Sequence, residues 1–72
     1  MTINEVQKIC DKGELCKVDY GTSSVVGVPP LDCLVVEVFE QYPYMGHMQP
    51  CALILADREG VQEEVVPLFW LE

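Results

Sequence analysis

The residues of this sequence with the clearest capacity for chemistry are its four cysteines, Cys10, Cys16, Cys33 and Cys51. Zinc sites usually take ligands in pairs about two to four residues apart, because a short turn must aim two sulfurs at one ion. The intervals here are six, seventeen and eighteen residues. Cys33 and Cys51 also lie in apolar stretches, where a thiol behaves as a small hydrophobic group. We therefore expect structural, unpaired thiols, with no metal and no other cofactor.

A cysteine nucleophile with a histidine base is the second chemical candidate, because the single histidine, His47, stands four residues before Cys51. Such a pair needs a third residue to orient the imidazole and donors for an oxyanion, and the sequence offers no clear example of either. Glu63 and Glu64 are adjacent, so on a strand they point to opposite faces and cannot act together as general acid and base. We expect no enzymatic activity.

Residues 42–50 are the segment that best fits a binding surface, with prolines near both ends. Tyrosine and methionine bury large areas and suit adaptable contacts. We interpret the segment as a loop that contacts a partner protein or a second copy of the chain; the alternative is that two of its side chains plug an open end of the fold. The candidate partner-binding residues are Tyr42, Tyr44, Met45, His47 and Met48. Trp70 could likewise contact a partner or fill the interior of the fold, and we expect it to be buried.

Composition limits the partners that such a surface could have. Twelve acidic residues against four basic ones give a formal net charge of −8, which disfavours direct binding to nucleic acids and to anionic membranes. The charge favours a basic partner protein, although solubility alone would also explain it. An acidic edge of Glu59, Glu63 and Glu64 is expected beside the outer strand. The apolar fraction of 50% is high for so small a domain, so we expect a homo-oligomer, most simply a dimer.

The expected cellular compartment follows from two features that are missing from the sequence, a membrane-spanning segment and a signal peptide. No apolar run reaches the roughly 18–20 residues that span a bilayer. The first residues also lack the basic and then apolar pattern of a signal peptide. These features predict a soluble, cytoplasmic protein whose thiols stay reduced.

The elements that must position these residues begin with a helix over residues 2–12. Thr2 and Glu5 fit a capping box, and apolar residues follow at three- and four-residue spacing. Gly13 is placed to end the helix in a left-handed conformation. The helix is too short to be stable alone and must pack on a sheet.

The longest β-prone stretch, residues 33–42, predicts a central strand. Alternation places Leu34, Val36 and Val38 on one face, and we expect Val36 to be buried. The remaining expectations are strands at 15–20, 25–28, 51–56 and 61–66, turns at 21–24 and 57–60, a bulge at Gly27, left-handed Gly60, and a helical turn with a short last strand at 67–71.

One helix followed by about five short strands predicts a single domain, residues 1–72, of the mainly β (α+β) class. Residues 15–71 resemble a small, partly open SH3-like antiparallel β-barrel, in which a tight distal hairpin precedes a short turn and a last strand. The acidic and aromatic motif of peptide-binding SH3 domains is missing, so the resemblance does not imply polyproline recognition.

Function is expected in the class of non-catalytic interaction proteins. A stand-alone acidic domain of this size is similar in profile to accessory proteins of phages and mobile elements, some of which bind and inhibit host proteins. The alternative is a homo-oligomer that binds a small anionic ligand, such as a nucleotide, with the hydroxyl-rich residues 21–24 facing a second subunit.

Overall fold

A computed structural model describes residues 1–20, 29–57 and 60–72. The described elements are one helix, four strands and a final 3₁₀ turn. In chain order they are α1 (Ile3–Lys12), β1 (Leu15–Val18), β2 (Leu31–Tyr44), β3 (His47–Asp57), β4 (Val61–Pro67) and the 3₁₀ turn (Leu68–Trp70). The four strands make one antiparallel sheet in the order β1-β2-β3-β4.

This architecture confirms the predicted mainly β class with one short helix, which is only the coarser part of the predicted fold. The described strands form an open four-stranded sheet, so five strands and a barrel shape are not confirmed. The predicted turn at 21–24, the strand at 25–28 and the bulge at Gly27 lie outside the described residues. The outer strand predicted at 61–66 is confirmed as β4.

The helix is built as its local signals predicted. The amide of Glu5 donates to the Thr2 hydroxyl over 3.3 Å, and the amide of Thr2 donates to the Glu5 carboxylate over 3.0 Å. Gly13 ends the helix with φ of 66°. Val6 is fully buried, and Ile3 and Ile9 pack against the core beside it. This apolar stripe holds a helix of ten residues against the sheet.

No helix in the described part of the chain is long and apolar enough to cross a membrane.

Val36 is the clearest departure from the predicted pattern. Val35 pairs with Ile54 and Glu37 pairs with Leu53, which leaves Val36 as an extra residue in a β-bulge. Val35 lies on the same face as buried Cys33 and is 3% exposed, whereas Val36 lies on the opposite face with half-buried Leu34 and is 44% exposed. The expectation that Val36 is buried is therefore wrong. The carbonyl oxygen of Val36 instead accepts a hydrogen bond from the thiol of Cys10, whose Sγ is 3.5 Å away.

The predicted loop at 42–50 is also wrong, because these residues are the end of the β2–β3 hairpin. Tyr44 pairs with His47 across a two-residue turn formed by Met45 and Gly46. Both turn residues have positive φ, 50° and 83°, which is the twist that tight hairpins need. The carbonyl of Tyr44 also accepts a hydrogen bond of 3.0 Å from the Gln49 side chain.

The prolines are tolerated there because the hairpin end extends beyond its neighbours. β1 pairs with β2 only as far as Leu34, and β4 pairs with β3 only from Cys51 onward. Among the described strands, Pro43 and Pro50 therefore have a pairing partner on one side only, so their missing amide donors break no described ladder on the other side.

The core lies between the sheet, α1 and the residues after β4. Val18, Ile54 and Val66 are fully buried. Leu71 forms an antiparallel bridge with Val18, which confirms a helical turn followed by a short extended segment. The turn predicted at 57–60 lies between β3 and β4, where Asp57 pairs with Val61, and Gly60 has the expected positive φ, 106°. Residues 58–59 lie outside the described residues.

Candidate functional site

An apolar groove lies where the β2–β3 hairpin end meets the residues that follow β4. Its volume is about 450 Å³, and we call it the end groove. It is lined mainly by Tyr44, Met45, His47, Pro67, Phe69 and Trp70. The two segments meet because Pro67 pairs with Cys51 of β3, only a few residues from the hairpin turn.

The 3₁₀ turn gives its aromatic residues opposite roles. With about three residues per turn, neighbouring side chains point in different directions. Phe69 is 66% exposed, whereas Trp70 is 9% exposed and belongs to the core. The predicted burial of Trp70 is confirmed. Trp70 therefore forms part of both the core and the wall of the end groove.

Three aromatic rings pack against Trp70 at steep angles. The ring of Tyr44 lies 6.1 Å from it at an interplanar angle of 83°, and the ring of Phe69 lies 6.4 Å from it at 87°. Tyr20 packs from within the core at 5.7 Å and 71°. Edge-to-face packing of this kind stabilises ring positions beyond simple burial. The groove wall is consequently fixed by the core behind it.

The structure separates the five predicted partner-binding residues into two groups. Tyr44, Met45 and His47 line the end groove, and Met45 is 81% exposed. Met48 is exposed next to His47 on β3, so alternation directs it to the opposite face of the strand. Tyr42 is half-buried and packs on Phe39 with ring centroids 5.2 Å apart. Tyr42 and Met48 are not among the residues that line the groove.

Sequence reasoning missed Phe69 as a site residue. The signal was the adjacent pair Phe69–Trp70 directly after Pro67. In a single helical turn two consecutive large rings cannot both enter the core, so one of them must face solvent.

Carboxylates give the surroundings of the end groove a negative charge. Burial raises the pKa of Tyr44, and the negative charge of Glu64 raises it further. The carboxylate of Glu64 accepts a hydrogen bond of 2.6 Å from the hydroxyl of Tyr20. Glu63 is exposed and Glu64 is half-buried, on alternate faces of β4. The third residue of the predicted acidic edge, Glu59, lies outside the described residues.

Two cysteines form a close pair in the core. Cys16 and Cys33 are directly opposite in β1 and β2, both buried, with their sulfurs 3.5 Å apart. The hydrogen bond between them lowers the pKa of the Cys16 thiol, and the same bond together with burial raises the pKa of the Cys33 thiol. Their pairing could not be predicted from the sequence, since seventeen residues separate them.

The other chemical candidates are not brought together. His47 is exposed near the hairpin turn, whereas Cys51 is fully buried four residues along the same strand, a separation of roughly 13 Å along the chain. Burial raises the pKa of the Cys51 thiol. Among residues 1–20, 29–57 and 60–72, no cluster of three or more histidine, cysteine or carboxylate side chains could hold a metal ion.

Comparisons with known proteins give no match: no protein-family model fits the chain, and no curated protein or solved structure is significantly similar to it. The function must therefore be argued from the end groove and its charge.

Proposed function

We propose that this protein is a non-catalytic binding protein that holds a partner protein in the end groove. The observation that carries the proposal is the concave apolar surface itself, with Met45 81% and Phe69 66% exposed at its rim and Trp70 behind it. Exposed apolar patches of this kind mark interaction sites, and tryptophan and tyrosine supply much of the binding energy at protein interfaces.

The rigid backbone that carries the groove side chains supports this proposal. Tyr44 stands on a paired strand next to a two-residue turn, and Phe69 stands on a turn anchored by buried Leu68 and Trp70. Side chains that are already ordered lose less entropy on binding. The surface therefore suits docking with little rearrangement.

The charge selects the type of partner. A net charge of −8, with Glu64 near Tyr44, favours a protein segment that combines apolar and basic residues. In our proposal, binding covers a functional basic surface of that partner and so inhibits it. This is the role that the similarity in profile to phage accessory proteins suggests.

For the finer fold we propose the partly open, five-stranded SH3-like barrel. It is supported by the bridge between Val18 and Leu71 and by reciprocal backbone hydrogen bonds of 3.2 and 2.8 Å between Lys17 and Glu72. These contacts bring residues 71–72 alongside β1. Slow hydrogen exchange at the amides of Lys17 and Glu72 is expected for a closing strand, and exchange at unprotected rates would contradict it.

The function is tested by removing the apolar rim without disturbing the core. Met45→Ser combined with Phe69→Ser changes two exposed side chains, so the variant should fold normally. Val61→Ser is the matched control, because Val61 is also largely exposed but lies at the other end of β4. Tagged protein is used to capture partners from a host lysate, and the partner identified by mass spectrometry is then purified for calorimetric titration.

We expect the purified partner to bind the native protein and the Val61→Ser control with similar affinity. The double variant should bind at least tenfold more weakly, because hot-spot side chains contribute about 2 kcal/mol or more. Equal affinity of the double variant and the native protein would refute the end groove as the binding site.

A second copy of the chain would cover the same surface, so in this proposal the predicted dimer and the partner complex are alternatives, and partner binding dissociates the dimer. The small-anion alternative depends on residues 21–24, which lie outside the described residues. The end groove does not favour it, because its lining is apolar and the charge of Glu64 acts on Tyr44.

A further inference from the structure

The end groove has a geometry that goes beyond a general apolar surface. The rings of Tyr44 and Phe69 each stand within a few degrees of perpendicular to the indole of Trp70. In an edge-to-face contact one ring turns its edge toward the other ring, and the two planes enclose a corner. All three rings line the same cavity, so the cavity is bordered by aromatic rings from two separate parts of the chain.

The faces of aromatic rings carry partial negative charge and attract cations. The net charge of −8 reinforces this attraction, since an acidic protein draws cations toward its surface. Among the described residues, those that line the groove include no lysine or arginine. A cation supplied by a partner would therefore meet attraction from both the rings and the surrounding charge.

We infer that the end groove binds a cationic side chain of the partner, a lysine ammonium or an arginine guanidinium, between the rings of Tyr44, Phe69 and Trp70. This inference rests on the proposed function and specifies what the groove recognises. The cavity of about 450 Å³ is larger than the cationic head group alone. Met45, which is 81% exposed at the rim, offers apolar contact for the methylene stem, the usual arrangement for long basic side chains.

The first test uses small capped amino acids, because Trp70 is the single tryptophan and reports directly on the groove. N-acetyl-lysine methylamide and N-acetyl-arginine methylamide are titrated into the native protein, with N-acetyl-norleucine methylamide as the uncharged counterpart. Trp70 fluorescence and the indole N–H signal in NMR are followed. We expect saturable shifts with the two cationic probes that weaken as salt is added, and no saturable shift with norleucine over the same concentrations. Equal binding of norleucine, or no response to the cationic probes, would overturn the inference.

The second test separates ring chemistry from apolar bulk. Phe69→Leu keeps an apolar side chain at an exposed position but removes the π face, and Val61→Leu is the matched control, because Val61 is also exposed but lies at the far end of β4. We expect Phe69→Leu to weaken the binding of the cationic probes by about two- to fivefold, the range for a solvent-exposed cation–π contact. Val61→Leu should leave their affinity unchanged. Unchanged binding in Phe69→Leu would show that the rings do not select the cation.

The inference and the proposed function can fail separately. If Met45→Ser with Phe69→Ser abolishes partner binding while excess N-acetyl-arginine methylamide does not compete, the groove binds the partner without selecting a cation, and only the inference is refuted. If the probes bind as expected but the double variant retains its partner, the cation site stands and the proposed function is wrong.

Discussion

The bulge at Val36 makes a strong prediction about two neighbouring valines. Val35 is 3% exposed and belongs to the core, whereas Val36 is 44% exposed and has no partner across the β2–β3 ladder. The same substitution, valine to alanine, should therefore have very different effects at the two positions. A regular strand would place one of them on each face but would not predict which one is buried.

The magnitude follows from what each substitution removes. Val35→Ala loses about 1.6 kcal/mol of transfer free energy for two buried carbon groups, and a cavity adds to that. We expect a cost of about 2–3 kcal/mol in the free energy of unfolding. Val36→Ala creates little cavity, because Val36 is 44% exposed. It should lower the free energy of unfolding by less than about 1 kcal/mol. A chain of this length has a total stability of roughly 4–11 kcal/mol, so Val35→Ala would remove a large share of it.

Urea denaturation followed by circular dichroism and Trp70 fluorescence measures both costs. For a domain of this size the melting temperature should fall by about 8–24 °C in Val35→Ala, and by less than about 8 °C in Val36→Ala. A larger loss in Val36→Ala than in Val35→Ala would refute the register described for β2. Similar losses of stability in both variants would show that the side chains of Val35 and Val36 do not differ in burial.

Three further predictions concern the core thiols, the helix cap and self-association. Treatment with diamide, which takes up the two electrons and two protons released by two thiols, should join Cys16 to Cys33 in a disulfide detectable by peptide mapping; a Cys33→Ser variant should form no intramolecular disulfide, and failure of the native protein to form this bond would contradict the 3.5 Å sulfur contact. The hydrogen bonds from Thr2 lower the pKa of Glu5, so the stability that the cap provides is present above the unfolded-state pKa of this carboxyl and is lost as pH falls through its lower folded-state pKa; NMR titration should place Glu5 below ordinary glutamates, and Glu5→Gln should reduce the loss of stability in acid. Light scattering at micromolar concentration should give a dimer mass that becomes a monomer mass when Tyr44 and Met45 are replaced by serine, and a monomeric native protein would refute self-association.

Local signals in the sequence were sufficient for the helix. The contacts that begin and end it are made by residues three or four positions apart, from Thr2 to Glu5 and from Cys10 to Gly13. Such contacts do not depend on the rest of the fold, so the capping box and Gly13 could be predicted without knowing what the helix packs on.

Strand register depends on distant partners and was harder to predict. The stretch around Val36 is apolar on both faces, so alternation alone cannot reveal an extra residue. Only the pairing of Val35 with Ile54 and of Glu37 with Leu53 locates the bulge. The hairpin end was misread for a related reason: Pro43 and Pro50 disfavour a central strand, and their tolerance depends on where β1 and β4 stop.

Trp70 explains why the candidate site could be predicted only in part. Its expected burial is confirmed, yet the same ring also borders the end groove, so the core and the binding surface share one side chain. Replacing Trp70 by alanine would remove a large buried ring, at a cost of about 3–5 kcal/mol, and any loss of binding would be confounded with unfolding. Phe69 has no such double role, because it is mostly exposed and contacts Trp70 from the solvent side of the turn. Binding measured in Phe69 variants therefore isolates recognition from stability, and the function of the groove can be decided there.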